Sequence, residues 1–358
     1  MDFTFTEDEL AFREAISRFL MTEAAPEALR EIWETDTGRS PELRNKIAEQ
    51  GLTALSIPEE DGGLGLGDVA WSLMTQELGY YGIPDSLADT AYLAAGVLTA
   101  RPQTDNLERN QQIKQWLTAI GEGSIRVAVG HPVNPLVADA AVADLLILLD
   151  GDDVHAVTRK DIDVVLRPSI DSSRRLAKVS WQPSRDSLLA SGEVGKAIQQ
   201  QILNRGALSA AGQLLGLAQR MLDLSIDYVA QRKQFGRVIG SFQAVKHHLA
   251  DVASKIEMAK PVLYRAAKEF DDESVDSSVY ISQAKIFCAE AAHLAAKNGI
   301  QVHGAMGYTW EVDLQMFMKR TWVLESTWGD VSFHKARVNE FVFDANNKIG
   351  PGQTFGRT

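Results

Sequence analysis

The sequence predicts a mainly α protein with a small β domain in its middle, an α+β arrangement. Three observations carry that expectation. Apolar residues at helical spacing run through the first 120 residues. Near Gly121 the texture changes to short, β-prone apolar runs. From Glu193 to about Phe343 long helical stretches return with few breakers. The expected domains are 1–120, 121–193 and 194–358.

The elements follow in chain order. Thr6-Glu7-Asp8-Glu9 has the form of a capping box, and Leu10, Phe12, Ile16, Phe19 and Leu20 follow at helical spacing. Ser40-Pro41 reads as an N-cap with proline at the first helical position. Leu43 and Ile47 face inward, and Gly51 stops that helix. Four glycines and a proline make residues 58–67 a turn-rich loop. Asp68 is expected to cap a helix ending near Gly79. Another helix is expected from Asp85 to about Leu98.

In the middle, Ile125–Val129 alternates, Leu145–Leu149 is a short apolar run, and Val154–Val157 and Asp163–Leu166 are β-prone. Asp150-Gly151-Asp152-Asp153 punctuates two of these as a hairpin. A domain of about 70 residues buries only a modest core and must lean on its neighbours. Residues 195–230, 242–270 and 276–300 then read as long helices, which pack as an antiparallel bundle.

Composition narrows the function. The chain has 358 residues, 36 basic and 48 acidic side chains, and a net charge of −12. At 45% hydrophobic and 23% charged it reads as an ordinary globular protein. The single cysteine, Cys288, excludes an internal disulfide framework and a multi-cysteine metal site. No apolar run approaches the about 20 residues of a membrane helix. The N-terminus lacks a secretory pattern, so a cytoplasmic enzyme or subunit is expected. The acidic balance argues against nucleic-acid binding. The dinucleotide-fold, P-loop and zincin motifs are absent.

Two stretches carry chemistry. Arg232-Lys233-Gln234-Phe235-Gly236 ends the first long C-terminal helix, and Ser241-Phe242-Gln243 begins the next. An arginine offers a fixed, always-charged fork suited to a pyrophosphate. A phenylalanine three residues on can lie against an adenine. The alternative is a surface arginine and an aromatic helix cap. The second stretch is Gln301-Val302-His303-Gly304-Ala305-Met306-Gly307-Tyr308-Thr309, where small residues allow close approach of a ligand. Thr309 could equally be the N-cap of the next helix. His303 reads as structural. His247 and His248 are consecutive, so they leave a helix in different directions and no metal site is expected.

Together with Ile57–Gly65, these stretches resemble the acyl-CoA dehydrogenase family, in the right order and along essentially the whole chain. The resemblance implies a helical N-terminal domain, a β middle domain and a C-terminal four-helix bundle. It also implies FAD lying across a subunit interface. Arg232, Phe235, Gln243, Gln301 and Gly304 would then serve a neighbour's flavin. Ala305 stands where the family usually has a second glycine.

The departures are larger on the catalytic side. The family's catalytic glutamate lies nine residues after an arginine; counting from Arg320 lands on Gly329. The family's other glutamate position falls on Asn204, before Arg205. Neither side chain accepts a proton. Asp330 and Glu325 are the nearest carboxylates, Asp330 one residue off and Glu325 about one helical turn away. The flavin-wrapping stretch is replaced by Val129-Gly130-His131-Pro132-Val133-Asn134-Pro135, and the middle domain is shortened.

The resemblance therefore implies the degenerate subunit of a heteromeric enzyme, an α2β2 heterotetramer with a homologous partner. Its reaction would be α,β-desaturation of an acyl-CoA, with a bulky or steroid side chain. Electrons would pass to an electron-transfer flavoprotein. A self-sufficient homotetramer using Asp330 or Glu325, and a non-enzymatic scaffold, remain the alternatives.

Overall fold

The computed structural model describes residues 4–83, 86–100, 107–344, 347 and 350. Helix α1 spans Glu7–Glu23, and its Thr6–Glu9 capping box is present in both directions. Ile16 and Leu20 are buried, whereas Leu10 is exposed. Helix α2 (Pro26–Glu34) was not foreseen. Helix α3 (Pro41–Glu49) starts on Ser40, whose hydroxyl accepts from the Leu43 N–H. Gly51 has φ +80°, the left-handed stop that favours glycine.

Helix α4 runs from Asp68 to Tyr80. Asp68 is its first residue, not its cap; Gly67 holds the cap position without a side-chain bond. The Asp68 carboxylate turns inward to the Tyr92 hydroxyl and to Arg205, 3.5 Å away. Burial raises its pKa. Asp85 lies outside the described residues. The helix expected there begins at Leu87, carries a π-helical segment over Asp89–Ala94 and continues as α5 (Ala95–Ala100). Helix α6 spans Leu107–Gly121.

Seven short strands follow: β1 (Val127–Val129), β2 (Val137–Ala138), β3 (Leu145–Asp150), β4 (Asp153–Thr158), β5 (Ile162–Arg167), β6 (Leu176–Trp181) and β7 (Leu188–Ala190). They form two sheets, ordered β1-β3-β4-β7 and β2-β6-β5. The β3–β4 hairpin closes with Asp150 opposite Asp153, as the turn signal predicts. Leu145 and Ile147 face the main core, and Leu146 and Leu148 face a smaller core between the sheets. Burial on both faces explains an unbroken leucine-rich run in a strand.

Helix α7 (Gly192–Gln231) has 40 residues and is about 60 Å long. A short hairpin of β8 (Lys233–Gln234) and β9 (Arg237–Val238) leads to α8 (Gln243–Asp271) and α9 (Ser277–His303). Helices α10 (Leu314–Ser326) and α11 (Val331–Phe343) complete the regular structure of the described residues. Helix α4 lies directly on α7. A Cβ on Gly212 would come within 1.9 Å of Thr75 Oγ1, and one on Gly216 within 1.9 Å of the Gln76 carbonyl. One continuous apolar core therefore joins the N-terminal helices, one face of the first sheet and the bundle.

Candidate functional site

The first group of residues gathers at one end of the bundle, where α7 ends, α8 begins and α9 ends. Arg232 follows the last turn of α7, and its carbonyl accepts from the Ile239 N–H at 2.8 Å. The β8–β9 hairpin turns on Phe235 and Gly236, with φ +53° and +80°. Two positive φ values in a two-residue hairpin loop define a primed turn. Glycine suits it; phenylalanine is strained there. The Phe235 ring is 91% exposed. Its nearest aromatic, Phe242, is 6.1 Å away edge-on, and the Arg237 guanidinium covers Phe242 at 4.1 Å.

Gln243, the first residue of α8, and Gln301, in the last turn of α9, are exposed. Gly304 ends α9 with φ +61° and open space above it. Among the described residues the side chains of Arg232, Gln243 and Gln301 make no hydrogen bond or ion pair within the chain. His303 does the structural work beneath them. It stacks on Tyr228 at 4.2 Å, and its Nδ1 lies 2.8 Å from the Gly299 carbonyl. Burial lowers its pKa. Thr309 does not cap α10: its hydroxyl donates to the Met306 carbonyl at 2.9 Å, and Asp313 holds the N-cap position.

The second group surrounds the turn Thr327–Asp330 between α10 and α11. Gly329 has φ +91° and no side chain to offer. Its neighbour Trp328, at φ +60°, is the residue that enters the interior, and it is 6% exposed. The indole presses on Gly206 of α7, where a Cβ would sit 2.2 Å from the Trp328 ring. The Trp328 N–H donates to Asn134 Oδ1 at 2.9 Å, and His131 lies 5.9 Å away ring to ring. The segment standing in the flavin-wrapping place thus folds onto Trp328. Burial lowers His131 to about 4.

The turn is held from below. Lys285, fully buried on α9, donates to the carbonyls of Leu324, Glu325 and Gly329 at 3.0, 3.0 and 3.1 Å. His334 Nε2 lies 2.9 Å from the Trp328 carbonyl. Burial lowers Lys285 to about 7. Burial, with Lys285 beside it, lowers His334 to about 4. Beside the indole remains a cavity of about 70 Å³, bordered by Gly206, Asn134, Arg174, Arg320, Asp89 and Trp328 among others. That is far below the about 300 Å³ at which ligand pockets begin.

Neither glutamate position holds a carboxylate. Asn204 is buried, donates to Ser278 Oγ at 2.9 Å and accepts from Arg337 at 3.1 Å. Asp330 caps α11, accepting from the Phe333 N–H at 2.8 Å, and is exposed. Glu325 faces an outer groove, 3.2 Å from His293 Nδ1, where burial raises its pKa. Neither carboxylate borders the cavity beside Trp328.

Sequence reasoning missed Trp328 and Lys285. Lys285 left a signal: Ile281, Cys288 and Ala289, one turn away on either side, are all apolar. Among the described residues no cluster of His, Cys, Asp or Glu could hold a metal, and no helix is long and apolar enough to cross a membrane.

Residues 6–124 match the acyl-CoA dehydrogenase N-terminal domain, and residues 194–342 the acyl-CoA dehydrogenase C-terminal domain. The chain is 33% identical over 320 residues to the acyl-CoA dehydrogenase IpdE2 of Mycolicibacterium smegmatis, covering 88% of this chain and 92% of that one. Among solved structures, it is similar to the ChsE4-ChsE5 complex from Mycobacterium tuberculosis. There the TM-score is 0.84 at 20% identity, with 98% and 100% of the two chains covered. The Tcur3481-Tcur3483 steroid ACAD variant gives a TM-score of 0.82 at 20% identity, over 94% and 98%. These last two likenesses concern the fold. By its two matched domains and its one-third identity to a relative along most of its length, the chain belongs to the acyl-CoA dehydrogenase family of oxidoreductases.

Proposed function

We propose that this chain is the flavin-completing, base-less subunit of a two-protein acyl-CoA dehydrogenase. Its bundle end would complete an FAD site whose ring lies in a homologous partner, in an α2β2 heterotetramer with two flavins. The observation that carries this reading is a separation along one helix. The exposed set at Arg232 and the small cavity at Gly206 lie 26 residues apart along α7, about 39 Å. A single dinucleotide does not reach from one to the other. The Arg232 end fits the adenosine side of FAD, with an unpaired cation, an exposed aromatic face and two free amides. The Trp328 end does not fit the ring, because the remaining space is too small, and the acid that borders it, Asp89, comes from the N-terminal helices rather than from either glutamate position.

Bound FAD supplies the hydride acceptor for α,β-desaturation of an acyl-CoA thioester. Arg232 would pair its fork with the pyrophosphate. Phe235 would lie against the adenine, and Gln243 and Gln301 would hydrogen-bond the adenosine portion. Gly304 lets the backbone approach closely. The α-proton acceptor belongs to the partner subunit. The likeness to a two-protein complex and to a steroid ACAD supports a bulky or steroid side-chain substrate, by analogy of fold. An electron-transfer flavoprotein is the proposed acceptor.

Flavin content tests the reading. The chain alone should carry none, and the complex with its homologous partner about one per heterodimer. Arg232→Ala should lower the flavin retained by the complex several-fold. One flavin per chain when alone would replace this reading with the self-sufficient enzyme. No flavin in any assembly would leave only the scaffold.

A further inference from the structure

We propose that Trp328 is a built-in stopper that closes this chain's own flavin-ring site. The inference rests on the reading above and names the residue responsible for the missing site.

The indole stands at the turn where the family carries its base, one residue before Gly329. It lies flat on a bare Cα, since any side chain at 206 would collide with it. The floor continues along α7 with Ser209 and Ala210, and the wall is formed by Val129 and Leu136. The remaining 70 Å³ is also lined by Arg174, Arg320, Ser86 and Asp89. Arg174 reaches Thr327 Oγ1 at 2.8 Å and forms no ion pair within bonding distance among the described residues. The lining combines small and apolar residues with two arginines, a serine and the acid Asp89. With the indole in place, the space that remains is too small for a flavin ring.

The stopper is fixed rather than gating. Three elements fasten the turn: Asn134 after β1 takes the Trp328 N–H, His334 of α11 holds its carbonyl, and Lys285 of α9 holds the next one. A bulky residue persists at φ +60° only where its surroundings over-determine it. Shortening the side chain should therefore open the space without releasing the backbone.

The test titrates the full-length chain with lumiflavin, the flavin ring without a nucleotide tail, and follows its fluorescence. Trp328→Ala should bind at least tenfold tighter than the wild type, with circular dichroism unchanged. A folded Trp328→Ala chain that binds no tighter overturns the proposal. Should Trp328→Ala fail to fold, Trp328→Leu is read by the same criterion. Lumiflavin has no pyrophosphate or adenosine, so Arg232→Ala must leave this titration unchanged. Arg232 is judged by FAD retention in the complex, so the two readings fail independently.

Discussion

The two ends of the C-terminal bundle are built on opposite physical rules. At the Arg232 end, charged and amide side chains stand in solvent without hydrogen-bond or ion-pair partners beside an exposed aromatic, above a buried stack of Tyr228 and His303. At the Trp328 end nearly everything is buried and paired. Lys285 alone satisfies three carbonyls. Exposed, unpaired groups contribute little to folding, and the proposed function assigns them to a ligand. Buried, satisfied groups contribute to folding and need no ligand to explain them. On the proposed function, the comparison separates what this chain would lend to an assembly from what it would have closed off.

The largest effect should come from Lys285. Lys285→Met would leave three buried carbonyls without a donor, costing about 2–4 kcal/mol, measured by urea unfolding. Its pH dependence has a defined sign. Burial lowers Lys285 from 10.5 to about 7, while in the unfolded chain it keeps its ordinary value. Between those values the unfolded state binds more protons, so this group's stability contribution rises with pH. Below about 7 both states are protonated and the contribution is flat. The stability difference between wild type and Lys285→Met should therefore grow from pH 7 to pH 10. A constant difference would show that the three carbonyls keep Lys285 charged in spite of its burial.

Gly206→Ala comes next. The added methyl meets an indole that cannot retreat, and overpacking of this kind costs about 1–3 kcal/mol. In a Trp328→Ala background the cost should vanish. The double-mutant cycle then measures the contact itself. Additive effects would mean that the turn yields and that the closed end is softer than its hydrogen bonds suggest.

Much of the exposed end was legible in the sequence, and less of the closed end was. The order Arg232, Phe235, Gln243, Gln301, Gly304 is local chemistry at helix ends, and helix ends announce themselves through caps and glycines. The hairpin between α7 and α8 was not foreseen, because two-residue strands leave no periodicity. The strand leucines were readable, but β2, β6 and β7 were not, being short or polar on one face. Asp68 misled for a physical reason. An acid at a helix start usually caps it, yet here Arg205 and Tyr92 draw it inward. The closed end depends on contacts of long sequence separation: Trp328 with Gly206 and Asn134, Lys285 with Gly329. Counting from Arg320 led to the same turn but placed attention on Gly329. The positive φ that turns Trp328 inward is invisible to counting.

Asp330→Ala sharpens the comparison at smaller cost. Losing the cap on α11 should destabilise by about 1 kcal/mol. Turnover by the complex should stay unchanged, because the carboxylate faces solvent and the Phe333 N–H. A fall in kcat of about 10² or more with normal FAD content would make Asp330 a base and dissolve the distinction between the two ends.

The smallest stability change, and the most discriminating, is expected at Phe235. Its ring is exposed, so removing it forfeits almost no burial. Its φ of +53° suits asparagine better than phenylalanine, and relieving that strain is worth up to about 1 kcal/mol. Phe235→Asn should therefore leave the chain as stable as before or slightly more so. FAD retention by the complex should fall, because the stacking surface is gone. A gain in stability paired with a loss of cofactor is the signature of a residue kept for binding at the expense of folding. If stability and FAD retention fall together, Phe235 supports the hairpin rather than the ligand. The Arg232 end would then owe its exposed aromatic to structure, as the Trp328 end owes its buried one.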